Sequence, residues 1–171
     1  MLAIGLMCYS LNPGARGLLM SLSVQWLSFS EFSAPDLYGA LCLRQAVFIV
    51  EQNCAFLDAD GLDVVGIHGL GRDATGNLVA VVRMLPPDGK RPAPSIGRLA
   101  VAKHARRFGY GRLIFAEALS EVQRRYPRSP VQITAQAYLE RFYASFGFVR
   151  VGEPFDEDGI PHISMTWVPH A

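Results

Sequence analysis

The sequence of 171 residues has no apolar run close to the ~20 residues that a membrane-spanning helix requires. Its apolar start lacks the basic region and the cleavage pattern of a secretory signal. We therefore interpret residues 1–20 as a poorly structured extension and residues 21–171 as the domain. Cysteine is equally scarce, and Cys8, Cys42 and Cys54 form an odd set without CxxC spacing. This set indicates neither a disulfide framework nor a zinc site, and it favours a reducing cytoplasm.

Charge is sparse and balanced. Charged residues make up 18% of the chain and the net charge is +1, which gives no argument for a nucleic-acid or membrane partner. Hydrophobic residues make up 50%, and a chain of this length suits one compact domain. His68 and His104 have no pairing typical of a metal site, so no metal is expected. Any bound phosphate must therefore be held by locally placed charges and backbone donors.

The hydrophobic pattern predicts strands and helices in a mixed order. Strands are expected at 23–29, 64–70, 77–85, 96–101, 131–136, 148–151 and 163–167, and helices at 35–48, 109–125 and 138–146. The acidic residues 58–63 and the residues 154–161 are expected to form loops. The antiparallel beginning, followed by strand–helix–strand–helix–strand, predicts an α+β domain with one embedded βαβ unit.

The segment IGRLAVAKHARRFGYGRLIF, residues 96–115, carries the clearest chemical signal. A buried strand ends near Val101, a basic loop follows, and Gly109 and Gly111 open a helix. Free N–H groups at a helix start favour an anion, and glycine lets a ligand approach the backbone, so a pyrophosphate suits this place. The same residues also fit a tight turn beside a solvated basic face. A Walker P-loop is excluded because Arg112 and Leu113 follow Gly111.

The residues from Arg106 to Gly111 resemble the Q/R-x-x-G-x-G/A signature of the GNAT superfamily of N-acetyltransferases. The segments LRQAVFIVEQNC, IGRLAV and AQAYLERFYASFGF resemble its ElaA-like branch, and the resemblance runs from about Ser23 to Trp167. It implies a mixed, mostly antiparallel twisted sheet with helices on both faces and one central βαβ unit that binds coenzyme A. It also implies an enzyme that moves the acetyl group of acetyl-CoA onto a primary amine by direct attack in a ternary complex.

The resemblance also implies roles for individual residues. The strand residues Leu99, Ala100 and Val101 would bind the pantetheine arm, and Tyr143 falls at the position of the family's general acid. Gln136 stands where many members have Asn, so its side-chain contact to the cofactor is an open question. The pyrophosphate would be held by Arg106, Arg107, Phe108, Gly109, Tyr110, Gly111 and Arg112.

The sequence does not identify which residue is the general base that deprotonates the amine. An alkyl amine with a pKa of about 10.4 is only about one part in a thousand neutral at pH 7.4, so a base is useful. His162 and Glu51 are the candidates, although each also fits a structural role. Acidic residues in the loops could form an acidic mouth for a cationic amine, and Arg44 could be a buried ion-pair partner or a substrate contact.

Two other classes of function stay open: a non-catalytic sensor of coenzyme A with the same fold, and a partner-binding domain whose glycines only make a turn. For the enzyme, the expected partner is a small-molecule or peptide amine, and neither nucleic acid nor membrane is expected. The sequence is compatible with a monomer or a homodimer.

Overall fold

The computed structural model describes residues 21–169, which form a single seven-stranded mixed sheet in the order β1-β2-β3-β4-β5-β7-β6. All neighbouring strands are antiparallel except β4 and β5, so the predicted α+β fold with one βαβ unit, β4–α2–β5, is confirmed. The extension predicted for residues 1–20 lies outside the described residues. The strands are β1 Ser23–Ser28, β2 Ile67–Arg72, β3 Leu78–Leu85, β4 Ser95–Val101, β5 Val131–Gln136, β6 Val149–Glu157 and β7 Ile160–Trp167, and the helices are α1 Ala34–Gln45, α2 Tyr110–Arg125 and α3 Glu140–Ala144.

Helix α1 begins at a capping residue and ends in an unusual turn. The hydroxyl of Ser33 accepts a hydrogen bond from the backbone N–H of Asp36 at 3.2 Å, and Pro35 lies in the first turn, where it costs no hydrogen bond. The predicted helix continues past α1 into a π-helical turn, Ala46–Glu51. Such wide turns are rare and are frequent at functional sites. This turn delivers Glu51 to one end of the sheet.

The central strands of the sheet are buried on both faces. Successive residues of β3 point to opposite sides, so Val82 packs into the larger core with α2 and α3 while Val81 packs with α1. Phe115 of α2 lies at the centre of the larger core and Phe48 at the centre of the smaller one, and both are fully buried. Helices therefore cover both faces, as the family resemblance implied.

Gly69 of β2 leaves room for an aromatic ring. A Cβ atom at this position would lie 2.6 Å from Cζ3 of Trp26 and 2.8 Å from Cγ1 of Val82, which is too close for any real contact. We expect Gly69→Ala to lower the free energy of unfolding by about 1–3 kcal/mol, because the indole ring has to move. Urea unfolding of both variants checks this, with Gly97→Ala as the control, since a Cβ at that strand glycine meets nothing within 4 Å. Equal stability of the two variants would contradict the expectation.

The last two strands are longer than the pattern predicted. Residues 154–161 were expected to form a loop because they contain two prolines and three acids, yet β6 runs to Glu157 and β7 begins at Ile160. Pro154 is tolerated because β6 is an edge strand, and Pro161 lies near the start of β7, beyond the last residue of β7 that pairs with β5. The turn is only Asp158 and Gly159, with φ angles of 55° and 78°, the conformation that two-residue hairpin turns favour. The expectation of a loop was therefore wrong.

Candidate functional site

Strands β4 and β5 separate soon after they begin. Within residues 21–169, their parallel pairing consists of Ser95 opposite Gln132, beside a hydrogen bond of 3.0 Å from the N–H of Gln132 to the carbonyl of Pro94. The C-terminal halves of the two strands diverge, and we call the gap between them the fork. Backbone groups along an unpaired strand edge need partners. The fork can therefore accept an extended ligand that carries amides of its own.

The three pantetheine candidates lie on the β4 side of the fork. Leu99, Ala100 and Val101 are the last residues of β4 and are almost completely buried. Just before them, the pairing with β3 skips: Ala100 is opposite Val81, whereas Gly97 is opposite Arg83. Two residues of β4 thus oppose one residue of β3, which is a β-bulge, and bulges re-aim backbone groups beside active sites.

Arg98 forms this bulge in a strained conformation. Its φ angle is 50°, in the left-handed region that residues other than glycine seldom adopt. Its guanidinium is held by two carboxylates, with Nε 2.9 Å from Oδ1 of Asp58 and Nη2 donating to Oδ2 of Asp60 at 3.0 Å. These ion pairs hold the bulge that borders the fork.

Arg98 is part of a buried ion network, in which three arginines and three aspartates pair at distances of 2.7–3.0 Å. Charge balance and multiple hydrogen bonds allow such a cluster to be buried. The members of the network are Arg44, Arg83, Arg98, Asp58, Asp60 and Asp63.

The buried ion network shows the roles of Arg44 and of the aspartates in residues 58–63, which the sequence alone left open. Arg44 is a buried ion-pair partner, bonded to Asp58 and Asp63. The aspartates of residues 58–63 are all paired with arginine, so the expectation that they contribute to an acidic mouth was wrong. Burial opposes ionisation of Asp63, but hydrogen bonds from Arg44 and Arg83 outweigh it and lower the pKa of Asp63. Its contribution to stability is present above its unfolded pKa of about 3.8 and is lost as pH falls further.

The glycine segment after β4 caps helix α2. A 3₁₀ helix, Lys103–Phe108, ends at Gly109, whose φ of 75° is the left-handed conformation that glycine adopts readily. Gly109 offers no side-chain cap, and a Cβ placed there would meet nothing within 4 Å. The start of this 16-residue helix is therefore open to an anion. Tyr110 and Gly111 are buried beneath it, while Phe108 is 44% exposed.

The arginines around this helix start are placed differently from one another. Arg107 is exposed, whereas Arg112 stacks on the ring of Phe146 at 4.6 Å. Arg106 donates from Nε to the carbonyl of Val101 at 3.1 Å, and its other two nitrogens bind both carboxylate oxygens of Glu51. Two candidates predicted for different tasks, Arg106 and Glu51, are thus paired with each other.

Residues 51–54, which we call the strap, cross the open end of the fork. Glu51 binds Arg106 on the β4 side, and Gln52 accepts a hydrogen bond of 3.2 Å from Nε2 of Gln136 at the end of β5. Cys54 is buried with its thiol 3.8 Å from the carbonyl of Asp158 in the β6–β7 turn. The strap therefore links both sides of the fork to the last hairpin.

Tyr143 of α3 is fully buried among aromatic rings. The ring of Phe115 lies 4.9 Å from it and that of Phe148 lies 6.2 Å away. Its hydroxyl has no hydrogen-bond partner within the part of the chain that the structure describes. Burial, with a smaller effect of Tyr138, raises the pKa of Tyr143 well above its usual value, so the hydroxyl keeps its proton at neutral pH.

His162 lies beside the end of the fork, because its position in β7 is opposite Gln136 of β5. The side chain is completely buried, and its Nδ1 lies 2.8 Å from the carbonyl of Ile160. A carbonyl can only accept, so Nδ1 carries the hydrogen and Nε2 has a free lone pair. Nε2 has no hydrogen-bond partner among residues 21–169, and the nearest carboxylate oxygen, of Glu157, is 3.9 Å away.

Sequence reasoning missed the roles of Arg98, Gln52 and Cys54. A signal existed for Arg98, because a charged residue inside an apolar strand needs a buried partner, and the acidic residues 58–63 supply it. Gln52 and Cys54 gave no such signal. Among residues 21–169, no group of His, Cys, Asp and Glu could hold a metal ion. No helix in this range is long and apolar enough to cross a membrane.

The comparisons with known proteins agree with this geometry. Residues 67–169 match the family described as the acetyltransferase (GNAT) domain. Protein ElaA of Escherichia coli is 42% identical over 147 residues, 84% of this chain and 95% of its own length. A UPF0039 protein of Synechocystis is 45% identical over 148 residues, which cover 86% of this chain and 96% of that protein.

Solved structures show the same fold. The crystal structure of Escherichia coli ElaA superposes with a TM-score of 0.80 at 40% identity, covering 86% of this chain and 99% of ElaA. An acyl-CoA N-acyltransferase of Pseudomonas aeruginosa superposes with a TM-score of 0.81 at 36% identity, covering 86% of this chain and 100% of its own. The chain therefore belongs to the GNAT superfamily of acetyltransferases and, within it, to the branch of the ElaA proteins.

Proposed function

We propose that this GNAT protein transfers the acetyl group of acetyl-CoA to a primary amine of a small molecule or peptide. The observation that carries the proposal is the fork, whose β4 edge is followed by a short 3₁₀ helix and then by the open helix start at Gly109. A pantetheine arm has two amides that suit an unpaired strand edge, and a pyrophosphate suits a helix start. The residues present thus fit coenzyme A, and the family of acyltransferases uses acyl-CoA in general.

Within this proposal, the backbone of Leu99, Ala100 and Val101 binds the pantetheine arm. The N–H of Val101 polarises the thioester carbonyl, an arrangement of the oxyanion-hole type. The N–H of Ala102 donates to β3, so the alternation along an antiparallel strand directs the N–H of Val101 into the fork. The N–H groups that follow Gly109, with the exposed Arg107, hold the pyrophosphate. Arg106 supports this loop through the carbonyl of Val101.

The reaction moves two protons. The amine nitrogen attacks the thioester carbon, the C–S bond breaks, and the leaving sulfur takes a proton from the hydroxyl of Tyr143. The amine loses its proton to the free Nε2 of His162, which is better placed as a base than Glu51, since both oxygens of Glu51 are bound by Arg106.

The only cysteine described beside the site supports direct attack of the amine. Burial raises the pKa of Cys54, and the nearby Asp158 and Glu157 raise it further. A thiol that keeps its proton is a poor nucleophile. An acyl-enzyme on Cys54 is therefore not expected, and transfer takes place in a ternary complex.

Calorimetric titration with acetyl-CoA tests the proposed cofactor site. We expect Gly109→Ala to weaken binding about tenfold or more, because a methyl group intrudes on the pyrophosphate and strains the left-handed backbone. Gly76→Ala is a matched control: Gly76 has a φ of 85°, an equally open surrounding, and a place in the β2–β3 turn. If the two variants bound acetyl-CoA with equal affinity, the proposal that the pyrophosphate binds at Gly109 would be wrong. Binding without release of free thiol for any amine would favour the sensor.

A further inference from the structure

We propose that the acceptor site lies between the strap and the β6–β7 hairpin, and that it selects an alkyl amine with a second positive charge and no carboxylate. In this site, Nε2 of His162 accepts from the reacting amine, and the carboxylates of Glu157 and Asp158 attract the distal cation. The inference rests on the proposed function and adds to it the class of the acceptor.

The unpartnered nitrogen of His162 is the first observation. A completely buried acceptor without a hydrogen bond is costly, so native proteins seldom leave one without a reason. Nε2 can only accept, because Nδ1 carries the ring hydrogen. A ligand that satisfies it must donate an N–H or O–H. An amine is such a donor, and a carboxylate or phosphate ion is not.

The charge of the hairpin is the second observation. Residues 151–161 contain four acids and no lysine or arginine. Within residues 21–169, no arginine or lysine forms an ion pair with Asp156, Glu157 or Asp158, in contrast to the aspartates of the buried ion network. The side chain of Glu157 is 50% exposed. Unneutralised carboxylates at a site mouth concentrate cations and repel anions.

The position of the hairpin connects these charges to the fork. His162 is opposite Gln136, which bonds to the strap, and the strap contacts the carbonyl of Asp158. The field of Asp158 and Glu157 reaches the buried thiol of Cys54, whose pKa both carboxylates raise in addition to burial. The negative potential of these carboxylates is therefore felt at the buried strap as well as at the solvent-exposed mouth of the site.

The wall of the site suits the methylene chain of an alkyl amine. The ring of Phe155 stacks on the imidazole of His162 with centroids 6.2 Å apart and an angle of 28° between the planes. The side chain is 41% exposed, so part of the ring is available to a ligand. An aromatic face attracts both methylenes and alkylammonium groups.

The chemical step balances with these groups alone. The reacting ammonium gives one proton to Nε2 of His162, and the neutral nitrogen forms the new C–N bond. The C–S bond breaks, the sulfur takes the proton of Tyr143, and the second proton that the acylated nitrogen must lose restores the hydroxyl of Tyr143. The products are the acetamide and free coenzyme A, and one proton is finally released to solvent. The distal ammonium keeps its charge throughout, beside Glu157.

Three acceptors of equal chain length test the inference: 1,4-diaminobutane, n-butylamine and 4-aminobutyrate. They differ in the distal group, which is cationic, neutral or anionic. Measured by thiol release at saturating acetyl-CoA, kcat/KM is expected to fall in that order, by about tenfold or more between the first two. A short peptide amide that contains lysine and arginine, assayed in parallel, distinguishes a peptide source of the same chemistry from a free diamine.

A matched pair of variants tests whether Glu157 causes the preference for the diamine over n-butylamine. Glu157→Gln is expected to lower kcat/KM about tenfold for the diamine and clearly less for n-butylamine, which reduces the ratio between them. Glu117→Gln, which removes the same charge from an exposed site on α2, is expected to leave the ratio unchanged. Equal kcat/KM for the three acceptors, or an unchanged ratio in Glu157→Gln, overturns the acceptor class but leaves the acetyltransferase standing. Acetyl-CoA binding without thiol release for any amine overturns both.

Discussion

Replacing Tyr143 with phenylalanine is expected to lower kcat by about 100-fold or more, the usual size of a general-acid contribution, while the protein stays as stable or becomes more stable. Activity falls without a loss of stability because the hydroxyl is buried without a hydrogen bond in the described part of the chain. Its removal deprives the leaving thiolate of a proton but abolishes no contact in the fold. The surrounding rings of Phe115, Phe142 and Phe148 accommodate phenylalanine at the same place.

Steady-state kinetics at saturating acetyl-CoA and urea unfolding check this prediction together. Tyr126→Phe is the control, since it removes a tyrosine hydroxyl just beyond the end of α2, away from the fork. Unchanged turnover of Tyr143→Phe would take Tyr143 out of the mechanism. Because burial raises the pKa of Tyr143 above its usual 10.0, ionisation of this residue should not reduce kcat below pH 10 in the unaltered protein.

Replacing Arg44 with methionine is expected to lower the free energy of unfolding by about 3 kcal/mol or more. The substitution leaves Asp58 and Asp63 buried with one arginine fewer, and a buried charge that loses its partner is costly. Arg124→Met is the control, because the side chain of Arg124 is 67% exposed and Glu121 keeps a second arginine partner, Arg125, when Arg124 is removed. A pair whose arginine is exposed contributes about 1 kcal/mol at most.

Urea unfolding with a common m-value measures both changes. A loss below about 1 kcal/mol for Arg44→Met would mean that the remaining arginines, Arg83 and Arg98, satisfy the aspartates on their own. The expected loss also has a functional side. Since Asp58 pairs with both Arg44 and Arg98, the substitution disturbs the bulge that borders the fork.

The proposed cofactor half of the site was easier to predict from the sequence than the proposed acceptor half, for a local reason. A strand end, a basic loop and a glycine at a helix start are consecutive in the chain, so their geometry follows from neighbouring residues. The residues from Arg106 to Gly111 were therefore predicted together. Their placement in the structure, after β4 and at the start of α2, is the one expected.

The acceptor half depends on contacts between distant parts of the chain. Glu51 and Arg106 are 55 residues apart, and Cys54 lies 104 residues from Asp158. No periodicity of the sequence encodes such pairs. The hairpin was missed for a second reason: prolines and acids are typical of loops, and an edge strand with both faces exposed has no hydrophobic alternation to reveal it.

The strap has one more consequence for an enzyme of the proposed kind. Glu51 touches Arg106 in the basic loop before α2, Gln52 touches Gln136 at the end of β5, and Cys54 touches Asp158 in the β6–β7 turn. In the proposed enzyme, this segment borders both the thioester site and the amine site, so we expect any movement of it to change the shape of both. We therefore expect the affinity for acetyl-CoA and the affinity for the amine to depend on each other.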